Sequence, residues 1–235
     1  MNVKFDQVRA KQQLLYVSIS LSTVLACMAY TAHGHSWVKI GKLSESLIIP
    51  ILLVGELLKI FLTNYFNKND KEIVPQKQKR KSSLPSAGNV FKGIFIQSVC
   101  TMLYAFTCVI LGAPVVGSYE ETFVLSIVLT LLTVTPTVLL LGASGALQAV
   151  FCEKSDLLTK TEDIALDLNK HHAAGAILGA WAGSIVAPLD WDRDWQAYPI
   201  PNVMGAVFGY GMANIYMCSK VLFKTGKVFI TKKRS

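Results

Sequence analysis

The chain has 235 residues, 52% of them hydrophobic and only 16% charged, and its basic residues outnumber its acidic ones to a formal net charge of +8. An ordinary soluble domain carries roughly 25% charged residues, and a globule of this length cannot hide so much apolar surface, because folding leaves much of any chain exposed to water. The composition excludes a disordered, collagenous or disulfide-stapled chain, since glycine follows no period and the five cysteines form no CxxC pair, and it points to lipid as the solvent.

A membrane-crossing helix needs about 20 mostly apolar residues. Six stretches meet that need, at 14–31, 47–66, 93–111, 122–141, 172–187 and 200–223. The sequence therefore predicts an all-α, polytopic membrane protein, one integral domain over 1–235 built as a bundle of about six transmembrane helices. The first stretch is longer than the roughly 7–15 apolar residues of a signal peptide and is read as a retained span. Six spans put both termini on one side. Nineteen of the 23 Lys and Arg then share that side, against Lys39, Lys42 and Arg193 opposite and Lys59 within the second span. Positive charge gathers on cytosolic loops, so both termini are placed in the cytosol and the net charge needs no nucleic acid. Segment 67–92, with KQKRK at 77–81 followed by Ser, Pro and Gly, reads as a basic cytosolic linker, either solvated or drawn to anionic lipid. Segment 142–170 reads as an acidic cytosolic loop with Leu157, Ile164 and Leu168 near helical spacing, and 224–235 as a basic cytosolic tail.

In lipid, helices gain little by hiding apolar faces from one another, so close approach through small residues matters more. Gly175, Gly179 and Gly183 recur every four residues in the fifth stretch, flanked by Ala176 and Ala180, and Gly205 and Gly209 follow in the sixth. Such a strip suits either packing of the fifth span on the sixth or docking of a partner's helix. Pro50 and Pro136 are expected to distort their helices, because proline lacks the N–H the backbone ladder uses. Glu56 and Lys59, three residues apart, share a helical face as an intramembrane ion pair, which marks either a conduit or ligand site or simple mutual neutralisation.

Between the last two spans lies a compact aromatic loop, 189–199, placed in the lumen by this topology. The run GAWAGSIVAPLDWDRDWQAYPI at 179–200 resembles the signature of the PIG-F family of glycosylphosphatidylinositol (GPI) anchor biosynthesis, which reads GAW, a small-residue stretch, PLDW, an acid, R, then PWQ and WPI. Weaker similarity touches Gly112 to Pro114, Glu121 to Phe123 and Thr133 to Pro136, while Asp194 stands where the family usually has Pro and Tyr198 replaces a Trp. The resemblance implies a non-catalytic subunit of the endoplasmic reticulum membrane that binds and stabilises the large ethanolamine phosphate transferases, partners that move phosphoethanolamine from phosphatidylethanolamine to a GPI mannose. The residues themselves also read as non-enzymatic: the luminal loops are short, and the sequence has no GxSxG, HExxH or Walker-type loop. No cofactor and no metal is called for.

If 190–195 is extended, alternation puts Asp190, Asp192 and Asp194 on one face and Trp191, Arg193 and Trp195 on the other. The acids suit a cation; Arg193 suits indole stacking, a phosphate such as that of phosphatidylethanolamine, or a partner contact; a structural turn with Trp anchors at the interface is the plain alternative. The candidate partner or lipid contacts are thus Gly175, Gly179, Trp181, Gly183, Pro188, Asp190, Trp191, Asp192, Arg193, Trp195, Gln196, Gly205 and Gly209. Lys232 and Lys233, just before the C-terminal Arg234 and Ser235, resemble a dilysine retrieval signal for the endoplasmic reticulum. A protein that presents or moves phosphatidylethanolamine is the competing function.

Overall fold

The structure is a computed structural model that describes residues 3–32, 37–69, 87–114, 117–151, 160–186, 188–189 and 193–234. All regular structure among them is helical: α1 (Val3–Ala32), α2 (Trp37–Ile40), α3 (Ile48–Asn69), α4 (Ala87–Ile110), α5 (Tyr119–Thr133), α6 (Thr135–Phe151), α7 (Lys160–Gly183) and α8 (Ile200–Arg234), with 3₁₀ turns at Ser184–Val186 and Asp194–Gln196. Each of the six apolar stretches falls on this helical framework. Among the described residues, length and apolarity alone mark two helices as able to cross a membrane, within Gln13–Ala32 and Gly88–Ile110, and a third if the bent pair α5–α6 counts as one span. Helices α7 and α8 carry glycine along one face where a lipid-facing helix has leucine.

Helix α5 is the central element, packed against α3, α4, α6, α7 and α8. Its hydroxyl residues recur at helical spacing and fold back on their own backbone: Thr122, Ser126, Thr130 and Thr133 each donate to the carbonyl one turn earlier. The same hydroxyls reach α4, Thr130 to Thr101 at 3.0 Å and Thr133 to Tyr104 at 2.8 Å, which ties a largely exposed apolar helix to the core by polar bonds. The chain then bends by 69° between α5 and α6. Pro136 is the cause: it cannot donate to the ladder, and as the second residue of α6 it occupies a position where no donor is required. Thr135 Oγ1 donates to the Thr130 carbonyl at 3.2 Å beside the break. Pro50 behaves differently from the expectation. It lies in the first turn of α3, where an N–H has no helical partner anyway, and α3 continues unbroken.

Within segment 142–170 the chain is helical on both sides of the residues that lie outside the described ones. Gly142, at φ 74° and ψ 171°, breaks the helical backbone inside α6, and α7 runs from Lys160, with Leu168 buried as its spacing suggests. Of the linker 67–92, residues 70–86 lie outside the described residues, and the tail 224–235 continues α8 as helix to Arg234.

The most extensive contact in the molecule joins α7 to α8. A Cβ built on Gly179 runs into the Gly205 carbonyl oxygen, one on Gly183 into that of Pro201, and one on Gly209 into that of Gly175. The two backbones touch along three turns, and only glycine fits there. The glycine strips of both helices are thus turned on each other. A Gly179→Val chain is expected to lose thermal stability by about 1–3 kcal/mol or more, as overpacked sites do, whereas Gly88→Ala, where an added Cβ meets nothing within 4 Å, should melt as the parent does; melting of the purified chain in detergent compares them.

Candidate functional site

One turn of α3 brings Glu56 and Lys59 onto the face that looks into the bundle, where they are 4% and 1% exposed. The Lys59 ammonium donates to the Glu56 carboxylate and, at 2.9 Å, to the Tyr210 hydroxyl of α8. It also lies 4.8 Å from the centre of the Tyr16 ring and 5.5 Å from that of Tyr210, within the range of cation–π attraction. Around it the polar contacts continue. Tyr210 donates to Ser20 Oγ on α1 at 3.4 Å, Tyr16 donates to Asn169 Oδ1 on α7 at 2.8 Å, and Asn214 Nδ2 donates to the Tyr210 carbonyl at 2.8 Å. His172 sits between the two tyrosines, 5.0 Å from the Tyr210 ring and nearly parallel to Tyr16 at 6.3 Å.

Four helices meet at this cluster. Among the described residues His172 Nδ1 and Nε2, Asn169 Nδ2 and Asn214 Oδ1 are buried without a hydrogen-bond partner, each at a cost of about 1–3 kcal/mol. Val17, Leu168 and Met217 pack on the turn to one side, and Val24, Ala176 and Val207 on the turn to the other, so apolar layers close the cluster at both ends. No group of three His, Cys, Asp or Glu among the described residues is placed to hold a metal ion.

The sequence singled out Glu56 and Lys59 as a pair and left His172 as the first residue of the fifth apolar stretch; the structure gathers Tyr16, Ser20, Asn169, His172, Tyr210 and Asn214 about them. The signal was present as polar residues three or four apart, Tyr16 with Ser20 and Tyr210 with Asn214 inside apolar stretches and Asn169 with His172 at the edge of one.

The other candidate residues lie on the α7–α8 hairpin and its loop. Gly175, Gly179, Gly183, Gly205 and Gly209 form the seam between the two helices. Trp181 is on the opposite side of α7, 61% exposed. The described part of the loop is not extended as expected: Arg193 is (φ −116°, ψ 138°), but Asp194–Gln196 forms a 3₁₀ turn, with Gln196 N–H bonded to the Arg193 carbonyl at 2.9 Å. Two helices in backbone contact at their ends cannot be bridged by a straight strand, which advances about 3.3 Å per residue. Gln196 Nε2 instead clamps the Val186 carbonyl at 2.9 Å, and Asn202 Nδ2 donates to the Ala180 carbonyl at 3.1 Å. Asp194 therefore does not continue an alternating acidic face; Asp190, Trp191 and Asp192 lie outside the described residues, Pro188 and Arg193 are exposed, and Trp195 packs partly against the core. Tyr198 donates to Thr122 Oγ1 at 3.1 Å, and burial pushes its phenol above the usual range. Lys232 and Lys233 fall on the last turns of α8.

A profile described as the GPI biosynthesis protein family Pig-F matches residues 6–218. The chain belongs to that family. It is 33% identical over 138 residues to glycosylphosphatidylinositol anchor biosynthesis protein 11 of Debaryomyces hansenii, covering 57% of each chain. It is 32% identical over 119 residues to the GPI ethanolamine phosphate transferase stabilizing subunit of Homo sapiens, covering 47% of this chain and 52% of that one. A PIGF/3-ketodihydrosphingosine reductase fusion protein of Schizosaccharomyces pombe is 34% identical over 115 residues, 49% of this chain and 22% of that one. The chain thus spans about half the length of the first two relatives. No solved structure matches it. Pig-F membership and the apolar helices together identify a membrane protein of GPI biosynthesis.

Removing one member of a buried ion pair leaves an uncompensated charge and costs about 3–5 kcal/mol, whereas replacing both by neutral groups is often near neutral. Lys59→Met alone should therefore lower the melting temperature steeply, and Lys59→Met with Glu56→Gln should recover most of the loss; equal melting of the single and double variants would show that the pair is not coupled.

Proposed function

We propose that this chain is a non-catalytic subunit that binds and stabilises ethanolamine phosphate transferases of GPI anchor assembly, in the endoplasmic reticulum membrane, with six spans and both termini in the cytosol. The family match over 6–218, with relatives in man and mouse named as stabilizing subunits of such a transferase, carries this reading. The geometry supports it from another direction. With the glycine seam closed, α7 and the 3₁₀ turn that follows it turn Leu178, Trp181 and Ile185 outward and α8 turns Phe208, Met212 and Ile215 outward, both at helical spacing and all exposed. This is an apolar, aromatic-bearing face on a rigid two-helix platform, suited to transmembrane helices of a larger protein, with the loop 189–199 beside it on the luminal side. Lys232 and Lys233 would serve to return the assembled complex to the endoplasmic reticulum.

The lipid-presenting alternative has less support, because Glu56 and Lys59 are enclosed by protein on all sides instead of facing a groove. A large aromatic at the centre of a contact commonly accounts for about 2 kcal/mol or more of binding. Trp181→Ala is accordingly expected to reduce the transferase recovered with the tagged chain in mild detergent by about tenfold, with the amount of the chain itself unchanged. In cells lacking the chain, transferase abundance should fall and GPI intermediates without phosphoethanolamine should accumulate; normal transferase levels and unchanged intermediates would refute the proposal.

A further inference from the structure

The glycine seam fixes how α7 and α8 face each other, but it leaves the rotation of the pair against α1 and α3 to other contacts. Directional bonds are needed to set which faces point outward. The Lys59 cluster ties the hairpin to both α1 and α3 through side-chain hydrogen bonds, with Tyr210 of α8 bonded to Lys59 and Ser20 and Asn169 of α7 bonded to Tyr16. At 3.6 residues per turn, a residue two positions from Tyr210 is turned by about 200°, and one nine positions from His172 by about half a turn. Anchoring Tyr210 inward thus points Phe208 and Met212 outward, and seating His172 between Tyr16 and Tyr210 points Trp181 outward. With apolar layers closing the cluster on both sides, its polar groups are available to one another and to no bulky ligand.

We propose that Lys59 is a polar lock, a positioning residue that ties α3 and α1 to Tyr210 of α8 and so holds the α7–α8 hairpin in the rotation that presents its outer face to the partner. The inference rests on the outer face being the partner contact. Glu56 neutralises the lysine and also bonds the Tyr210 hydroxyl, and the ammonium joins the pair to Tyr210 across the bundle and to the Tyr16 ring.

The test uses the full chain, tagged and recovered in mild detergent, with transferase measured per unit of chain and melting measured on the same samples. Tyr210→Phe removes the hydroxyl and keeps the ring and the ion pair. The double change Glu56→Gln with Lys59→Met leaves no buried charge and removes the ammonium from Tyr210. Each is expected to lower transferase recovery about fivefold at normal chain abundance, while Lys59→Arg, which keeps a donor toward both Glu56 and Tyr210, should stay within about twofold of the parent. In melting, Tyr210→Phe should add little to Lys59→Met, because both remove one shared interaction. Additive shifts, or full recovery of the transferase with both the Tyr210→Phe and the Glu56→Gln, Lys59→Met chains, would overturn the lock. Trp181→Ala, run alongside, separates the two readings: recovery lost there but kept in the neutral-pair chain defeats the lock alone, and recovery kept in both defeats the outer face as the contact and the lock's role with it.

Discussion

Two helix backbones in direct contact leave no space for any side chain between them, and much of this molecule follows from that constraint at the α7–α8 seam. It dictates five glycines on two faces, which in turn lowers the hydropathy of both helices below that of an ordinary membrane span. The seam brings the end of α7 onto Pro201 at the start of α8, so the intervening loop has to double back, and the 3₁₀ turn at Asp194–Gln196 with the Gln196 clamp is how the chain does so. It also assigns the remaining faces. Once the small residues are consumed, the large apolar side chains of α7 and α8 have only the core or the surroundings to face.

Where close backbone contact is not available, the bundle joins its helices by polar bonds. Helix α5 uses hydroxyls that satisfy their own backbone and then reach Thr101 and Tyr104 of α4. Helix α3 uses the stronger device, an ion pair whose ammonium also engages two tyrosines. The energetic character of the two differs. Hydroxyl bonds are cheap to break, because a threonine falls back on the carbonyl one turn earlier, whereas a buried lysine has no such fallback and strongly disfavours any arrangement that separates it from Glu56. The region about Lys59 is therefore the place where an alternative packing of these helices is most heavily disfavoured.

The helices and the glycine seam were readable because each rests on local rules: apolar run length, a four-residue glycine period, and Pro136 as the site of a break. The Glu56–Lys59 pair was readable for the same reason, since three residues apart on a helix fixes their proximity. The rest of the cluster was not. Tyr16, Asn169, His172 and Tyr210 come together only through the crossing of four helices, and a histidine near the start of an apolar stretch looks like an interfacial residue until the neighbouring helix is placed. Errors in the other direction have the same origin. Pairing faces by alternation in 190–195 presumed an extended stretch, whereas the chain turns at Asp194–Gln196. Pro50 was judged by its residue type, whereas its effect depends on its place in the first turn.

The distribution of polarity bears on what such a molecule does. Buried Glu56, Lys59, Tyr16, Tyr210 and His172 face one another, the α5 hydroxyls bond within the bundle, and the sides of α4, α7 and α8 turned away from the core are apolar and aromatic. Chemistry on a substrate requires polar groups converging on an accessible point, and the Lys59 cluster converges on a point shut off by Val17, Leu168 and Met217 on one side and Val24, Ala176 and Val207 on the other. Recognition by packing requires the opposite arrangement: a stiff inner frame and an outer surface whose shape is fixed by it. In a lipid solvent, where apolar contact with a partner gains little over contact with acyl chains, the advantage of one surface over another lies in how well its shape is held. On the proposed reading the internal polar bonds serve that end, since every bond that fixes the inward face of α8 at Tyr210 also fixes the outward position of Phe208, Met212 and Ile215.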